Sequence, residues 1–260
     1  MPRAATISSP ANPLVKEIRR AVERRSLTAQ GWCVAETFHL LEEALRDAEV
    51  RHVFASESVS AEVETRLREH PEIPLALLPD RLFQTLSATE TSQGVLALVS
   101  PRVWNREDLA LGPAPLIVVL DGVRDPGNAG AMVRAAEAFG ASGVVFLKGS
   151  VSPYNPKTLR ASAGSLFRVP FFTCETFDFP GLASYAAVPA HTPSARSLSA
   201  VDLTQGCALV IGSEAHGVSP ALRAASIELC IPTAGVESLN AAMAAAVLLY
   251  EAARQRSLPR

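Results

Sequence analysis

Cysteine is scarce and unpatterned: Cys33, Cys174, Cys207 and Cys230 are scattered along 260 residues with no C-x-x-C pair. That spacing carries neither a zinc nor a disulfide signature and points to reduced, buried thiols. The five histidines are dispersed too, with no H-E-x-x-H, so no metal site is expected. No apolar run approaches the roughly 20 residues of a membrane helix. Met1 to Pro13 lacks the apolar stretch of a secretory signal, so the expectation is a soluble, cytoplasmic protein. A net basic excess is missing as well, the formal charge being −2.

What is present supports a packed core. The chain is 48% hydrophobic and 19% charged, and its length allows one large domain or two ordinary ones. Charge is unevenly distributed. Residues 1–30 carry Arg3, Lys16, Arg19, Arg20, Arg24 and Arg25 against Glu17 and Glu23, a balance of +4. Residues 31–105 hold six basic and twelve acidic groups, a balance of −6. A solvated helix face explains such a basic cluster about as well as a phosphate-contact surface does.

Hydrophobic periodicity organises the rest. Asn12-Pro13 opens a helix over 14–25 with apolar groups at helical spacing. Strands near 32–35, 50–56, 73–78 and 94–99 alternate with helices at 37–48, 61–69 and 80–88, giving an α/β domain of about one hundred residues. The proline-bearing stretch 101–115 reads as a linker. Pro115 to Leu120 is a continuous apolar run typical of a buried parallel strand. A turn over Asp121 to Gly130, a helix over 131–139 and a strand at 144–147 follow. Residues 182–189 read as a helix turn and a strand, 207–211 and 227–231 as strands. Ser238 to Arg256 is a long Ala-rich helix, with Arg254 and Arg256 where cations suit the dipole. The expected class is α/β, two α/β domains in series.

Three loops after strands carry polar residues that a plain turn does not need, at the strand ends where open α/β sheets bind ligands. The first runs from Asp121 to Gly130, with Asn128 inside it and Arg134 six positions further on. A strand-to-helix turn accounts for Gly127 and Asn128 but not for Arg134. The spacing is not G-x-G-x-x-G and no acidic residue ends the next strand, which argues against a dinucleotide-binding dehydrogenase. The second is Ile211 to Gly217, where Gly212 allows close backbone approach and Glu214 is a base or an N-terminal helix charge. On this loop alone a capped turn is the better account. The third runs from Ile231 through Ser238 to Asn240, with Ser238 as the expected N-cap and Asn240 a poor helix former needing another reason to be there.

Together these loops resemble the SpoU (TrmH-like) branch of the SPOUT RNA methyltransferases. The residues that carry the resemblance are Asp125-Pro126, Asn128, Gly130, Arg134 and Ala136; Gly212, Glu214 and Gly217; and Ile231-Pro232 with Glu237 to Asn240. Arg160 to Gly164 and Val169-Pro170 look like the segment between the motifs. Upstream, Ile7 to Ser9, Asn12-Pro13, Val15-Lys16, Glu36 and Glu43 to Leu45 look like the small RNA-binding domain, similar to ribosomal protein L30e, that precedes many such enzymes. Two departures stand out. Thr37 occupies the place of the usual glycine after Glu36, and the loop between Pro232 and Ser238 is one residue shorter than the pattern.

The resemblance implies an L30e-like domain with linker over 1–105 and a methyltransferase domain with a carboxyl-terminal trefoil knot over 106–260, dimerising through the latter. It implies S-adenosylmethionine as cofactor, held by Gly212, Ile231 and Leu239. The implied reaction moves a methyl group to a ribose 2′-hydroxyl of RNA, with ribosomal RNA favoured and transfer RNA the alternative. Asn128, Arg134, Glu214, Ser238 and Asn240 are the implied catalytic set, and Lys16, Arg19, Arg20 and Arg160 the RNA-contacting one. An arginine with a pKa above about 12 makes a poor base, so Arg134 is expected to orient a phosphate or the hydroxyl. A non-catalytic RNA-binding or assembly factor on the same fold is the competing reading, against which the intact polar set argues.

Overall fold

The computed structural model describes residues 4–89, 91–109, 112–178 and 180–257. Arg3 of the basic cluster and residues 110–111 of the expected linker lie outside them. The chain forms two compact units. One takes the chain to Val103 together with Ser152–Arg168, and the other takes Trp104–Val151 with the chain from Val169 onward. A linear division at residue 105 does not include that return of 152–168.

The first unit runs β1 (Ala4–Thr6), α1 (Pro13–Arg24), β2 (Cys33–Glu36), α2 (Phe38–Asp47), β3 (Glu49–Ser56), α3 (Ser60–Arg66), β4 (Leu75–Leu78), α4 (Asp80–Gln84) and β5 (Val95–Ser100). Its sheet has the order β1-β4-β3-β5-β2, with β1, β4 and β3 parallel and β5 antiparallel to both neighbours. Helix α1 starts as its sequence dictates: Asn12 Oδ1 accepts from Leu14 N at 2.9 Å and Pro13 fills the first turn. Val15 and Ile18 are fully buried against Phe54, Leu96 and Leu98, each worth about 1.5–3 kcal/mol of burial. Arg25 ends the helix in the left-handed region at φ 54°.

Glu36 is buried at the end of β2 and saturated with donors: Ser87 Oγ, Ala88 N at 3.0 Å, Thr89 Oγ1 at 3.0 Å and Ser92 Oγ at 3.2 Å. Within the same unit Arg160 Nη1 stands 3.9 Å from its carboxylate. Burying a carboxylate is costly unless its oxygens are hydrogen-bonded in this way. The glutamate singled out upstream therefore gathers Ser87, Ala88, Thr89 and Ser92 around one carboxylate.

The next residue explains the missing glycine. Thr37 sits at φ 118°, ψ 152°, a region that only glycine occupies freely. Its hydroxyl accepts from Leu40 N at 3.2 Å and caps α2. Backbone strain there costs about 1–3 kcal/mol, whereas exchanging a threonine cap for glycine costs only a few tenths. Thr37→Gly should therefore stabilise the protein by about 1 kcal/mol in denaturant titration, and a lower midpoint would show that the cap outweighs the strain.

The second unit contains α5 (Arg106–Leu109), β6 (Leu116–Asp121), α6 (Pro126–Ala138) and β7 (Gly143–Leu147). Helix α7 (Pro156–Ser162) lies in the stretch that joins the first unit. Then come β8 (Phe171–Cys174), β9 (Ala183–Val188), β10 (Arg196–Ser197), β11 (Cys207–Gly212), α8 (Pro220–Ala224), β12 (Ile227–Cys230) and α9 (Ala241–Ser257). All seven strands are parallel in the order β10-β12-β9-β11-β6-β7-β8. The three central apolar runs, β11, β6 and β7, are buried along nearly their whole length, as a sheet covered on both faces requires. Because every strand points the same way, the loops after β6, β9, β11 and β12 emerge on one edge.

Several local expectations are corrected. Helix α6 begins at Pro126, not 131, because Asp125 caps it by accepting from Asn128 N at 2.7 Å. The two glycines and the asparagine of its first turns had suggested a loop. Helix α9 begins at Ala241, and its cap is not Ser238. Asn240 Oδ1 accepts from Ala242 N at 2.9 Å and Met243 N at 3.3 Å, the reason this residue stands there. Residues 183–188 are strand alone, and the expected linker holds the short α5. Arg254 and Arg256 do more than face the dipole: Arg254 pairs with Glu251 at 2.7 Å, and Arg256 donates to the carbonyls of Leu203, Ala114 and Gln205.

Candidate functional site

The site is assembled by three loops from one sheet edge. Asn128, in the first turn of α6, donates through Nδ2 to Glu214 Oε1 in the loop after β11. Its own Oδ1 accepts from Asn240 Nδ2 at 3.2 Å, at the start of α9. One side chain thus ties the three polar loops together, using both halves of its amide. Glu214 and Asn240 are exposed and Asn128 half-buried, so the cluster is open to a polar substrate.

Beside this cluster lies a cavity of about 590 Å³, within the range of about 300–1,000 Å³ typical of small-molecule sites. Gly212, Glu214, Ile231, Ser238, Leu239 and Asn240 all line it. Its apolar wall adds Ala241 and Ala244 from α9, whose small side chains leave room. Gly212 is indispensable to its shape. A Cβ there would stand 2.0 Å from Gly217 C, 2.1 Å from Val218 N and 2.2 Å from Gly217 O.

The loop after Gly212 folds back on itself. Ser213 N donates to Gly217 O at 3.2 Å and Gly217 N to Ser213 O at 2.8 Å, closed by Gly217 at φ 66°. Asp121, register partner of Gly212, accepts from Ser219 N at 2.6 Å and clamps the loop to β6.

Arg134 is placed differently. It lies on α6, exposed, off the cavity wall and without a hydrogen bond or ion pair among the described residues. Lys16, Arg19, Arg20 and Arg160 all belong to the first unit; Arg19 donates to Thr85 Oγ1 at 3.1 Å and Arg160 faces Glu36. Sequence reasoning missed the contribution of residues 187–190 at and just beyond the end of β9, the clamp role of Asp121, and the lining side chains His216 and Arg223. The acid ending the apolar run of β6 was the available signal for Asp121; nothing local marks 187–190. The cysteines are free and take no part. Cys33, Cys207 and Cys230 are buried and Cys174 half-buried, and desolvation pushes the Cys33 thiol up to about 12.

Residues 115–250 match the SpoU rRNA Methylase family. The chain belongs to that family. Residues 12–97 match the MRM3-like substrate binding domain. The 23S rRNA (guanosine(2553)-2′-O)-methyltransferase RlmP of Bacillus subtilis is 30% identical, the match covering 94% of this chain and 97% of that protein. Among solved structures, the SpoU methyltransferase AviRb of Streptomyces viridochromogenes in complex with AdoMet aligns with TM-score 0.83 and 25% identity over 96% of this chain and all of the other. An AdoMet-bound rRNA methyltransferase from Sinorhizobium meliloti aligns with TM-score 0.81 and 27% identity over 96% and 98%. The expected class, an α/β SPOUT domain with a smaller amino-terminal α/β domain, is met. The SpoU domain carries S-adenosylmethionine chemistry, and the cavity fits that cofactor: a glycine floor that admits no side chain, apolar walls for an adenine ring, and a polar rim.

Proposed function

We propose that the protein is an rRNA 2′-O-methyltransferase that works as a homodimer in the cytoplasm. The observation that carries this reading is the Asn128–Glu214–Asn240 link beside the Gly212 cavity, which joins three otherwise separate loops into one polar rim. Relatives named as 23S rRNA methyltransferases support the choice of RNA. The bound cofactor supplies a methyl group activated on a sulfonium. Gly212, Ile231 and Leu239 would hold the adenosine part against the cavity floor and walls. Asn128, fixed by Glu214 and Asn240, presents a rigid polar edge to the ribose, and fixed geometry is what a weak hydroxyl nucleophile most needs. Ser238 adds a hydroxyl on the same rim, and Arg134 orients phosphate or hydroxyl as a permanent cation.

The dimer reading rests on α9. Met243, Val247 and Tyr250 fall on one face of that helix at i, i+4 and i+7 and are 63%, 37% and 56% exposed, an apolar stripe that a second copy would cover. No described helix is long and apolar enough to cross a membrane.

The test uses rRNA from cells lacking the gene, labelled S-adenosylmethionine and purified protein. Methyl transfer should leave one linkage resistant to alkali, because a methylated 2′-hydroxyl cannot attack its own phosphate. The same sample should sediment at twice the mass of the 27.5 kDa chain. Label entering transfer RNA alone, base-labile label, or a monomer active at full rate would each overturn the corresponding part.

A further inference from the structure

Apart from His216, the charged residues lining the cofactor cavity are one cation, Arg223, and two acids, Glu214 and Glu237. S-adenosylmethionine carries the opposite set: one carboxylate against two cations, its ammonium and its sulfonium. Glu214 is already bound to Asn128 in the polar rim. Arg223 has no bond to that rim and no part in the methyl-transfer chemistry described above, so its presence in the wall needs its own reason.

A residue that does not itself line the cavity holds Arg223 in place. From α8, Arg223 Nε donates to Glu228 Oε1 at 2.8 Å, and Nη2 donates to the same oxygen. Glu228 stands on β12, where it is the register partner of Ala186 on β9. Its second oxygen, Oε2, accepts from Ser194 Oγ, in the stretch between β9 and β10. These bonds, Ser194 contributing most and Arg223 next, hold the Glu228 carboxyl below the usual carboxylate range. One carboxylate therefore joins α8, β12 and the stretch after β9, whose residues 187–190 border the cavity.

An exposed ion pair often contributes little by itself, so the geometry of the guanidinium decides. An arginine offers five N–H donors, and Glu228 takes two of them on a single oxygen. Nη1 and the second hydrogen of Nη2 have no hydrogen-bond partner among the described residues. What is left is the planar fork between the two terminal nitrogens, the shape that meets a carboxylate in two parallel bonds.

We propose that Arg223 takes the methionine carboxylate of S-adenosylmethionine on this fork, while Glu228 keeps the guanidinium in the cavity wall. This rests on the methyltransferase reading and deepens it, naming the group that grips the amino-acid end of the cofactor. It also makes the site selective: an adenosyl sulfonium without the carboxylate gains nothing from Arg223.

Calorimetry on the full chain compares S-adenosylmethionine with its decarboxylated form, which keeps the adenosine, sulfonium and ammonium and lacks only the carboxylate. The wild-type chain should bind the decarboxylated form about tenfold more weakly, the scale of one charge-assisted hydrogen bond. Arg223→Gln should lose about the same factor for S-adenosylmethionine and nothing for the decarboxylated form. Arg223→Lys should recover part of the loss, because lysine keeps the charge without the fork. A thermal melt should find Arg223→Gln as stable as the wild type, the side chain being 42% exposed. Equal wild-type affinity for the two ligands overturns the proposal without any variant. So does unchanged S-adenosylmethionine binding by Arg223→Gln, or an equal loss for both ligands, which would make Arg223 part of the wall alone. A wild-type chain that binds neither ligand sinks the methyltransferase reading and this assignment with it; one that binds both alike sinks the assignment only.

Discussion

Gly212→Ala should abolish S-adenosylmethionine binding and lower the melting temperature by roughly 6–12 °C, whereas Gly235→Ala should do neither. The added methyl at 212 meets the Gly217–Val218 backbone at 2.0–2.2 Å, and backbone cannot rotate away as a side-chain tip can. Giving ground would break the paired Ser213–Gly217 hydrogen bonds and the Asp121 clamp on Ser219. Overpacking of this kind, with loss of local hydrogen bonds, costs on the order of 3 kcal/mol, from which the melting shift follows. The loop concerned lines the cavity, so the cofactor loses its floor. Gly235 lies in the third loop with nothing within 4 Å of its would-be Cβ and no positive φ, which makes it a fair control. Calorimetry and a thermal melt on both variants check the pair. Wild-type cofactor affinity in Gly212→Ala would mean that the cofactor is held elsewhere.

Arg134→Ala should lower the turnover of methyl transfer by about 10³-fold while leaving stability and cofactor affinity unchanged. The side chain is exposed and off the cavity wall, so its removal opens no void, and surface substitutions of this sort stay within about 0.5 kcal/mol. It makes no ion pair among the described residues, which leaves the whole guanidinium for an RNA oxygen. Losing the group that orients a nucleophile costs orders of magnitude in rate because alignment supplies much of the barrier reduction. Arg134→Lys should recover only part of the loss, since a lysine lacks the planar fork. Single-turnover rates measured beside cofactor binding separate the two effects, and wild-type turnover in Arg134→Ala would remove the residue from the reaction.

Both variants concern residues whose types were visible in the chain but whose roles were not equally so. The strand-end positions of Gly212, Glu214 and Asn240 were readable because buried parallel strands are nearly unbroken apolar runs, and each polar residue stands just beyond one. The start of α6 was misplaced because Gly127, Asn128 and Gly130 weaken helix propensity, and the Asp125 cap with Pro126 at the first turn overrides it. Short elements such as β10, two residues long, carry no period to detect. Thr37 was visible as an oddity, but its cause, a backbone angle, was not.

By itself the sequence determined the α/β class of the protein, its parallel strands, the polar loops at their ends and the basic helix at its amino-terminal end, since these depend on local periodicity and residue type. Tertiary structure alone decided that Asn128 joins Glu214 and Asn240, partners 86 and 112 residues away. It also brought residues 187–190 to the cavity and returned 152–168 to the first unit. The reason is physical: strand order and loop closure set which distant groups meet, and no local preference along a chain encodes that order.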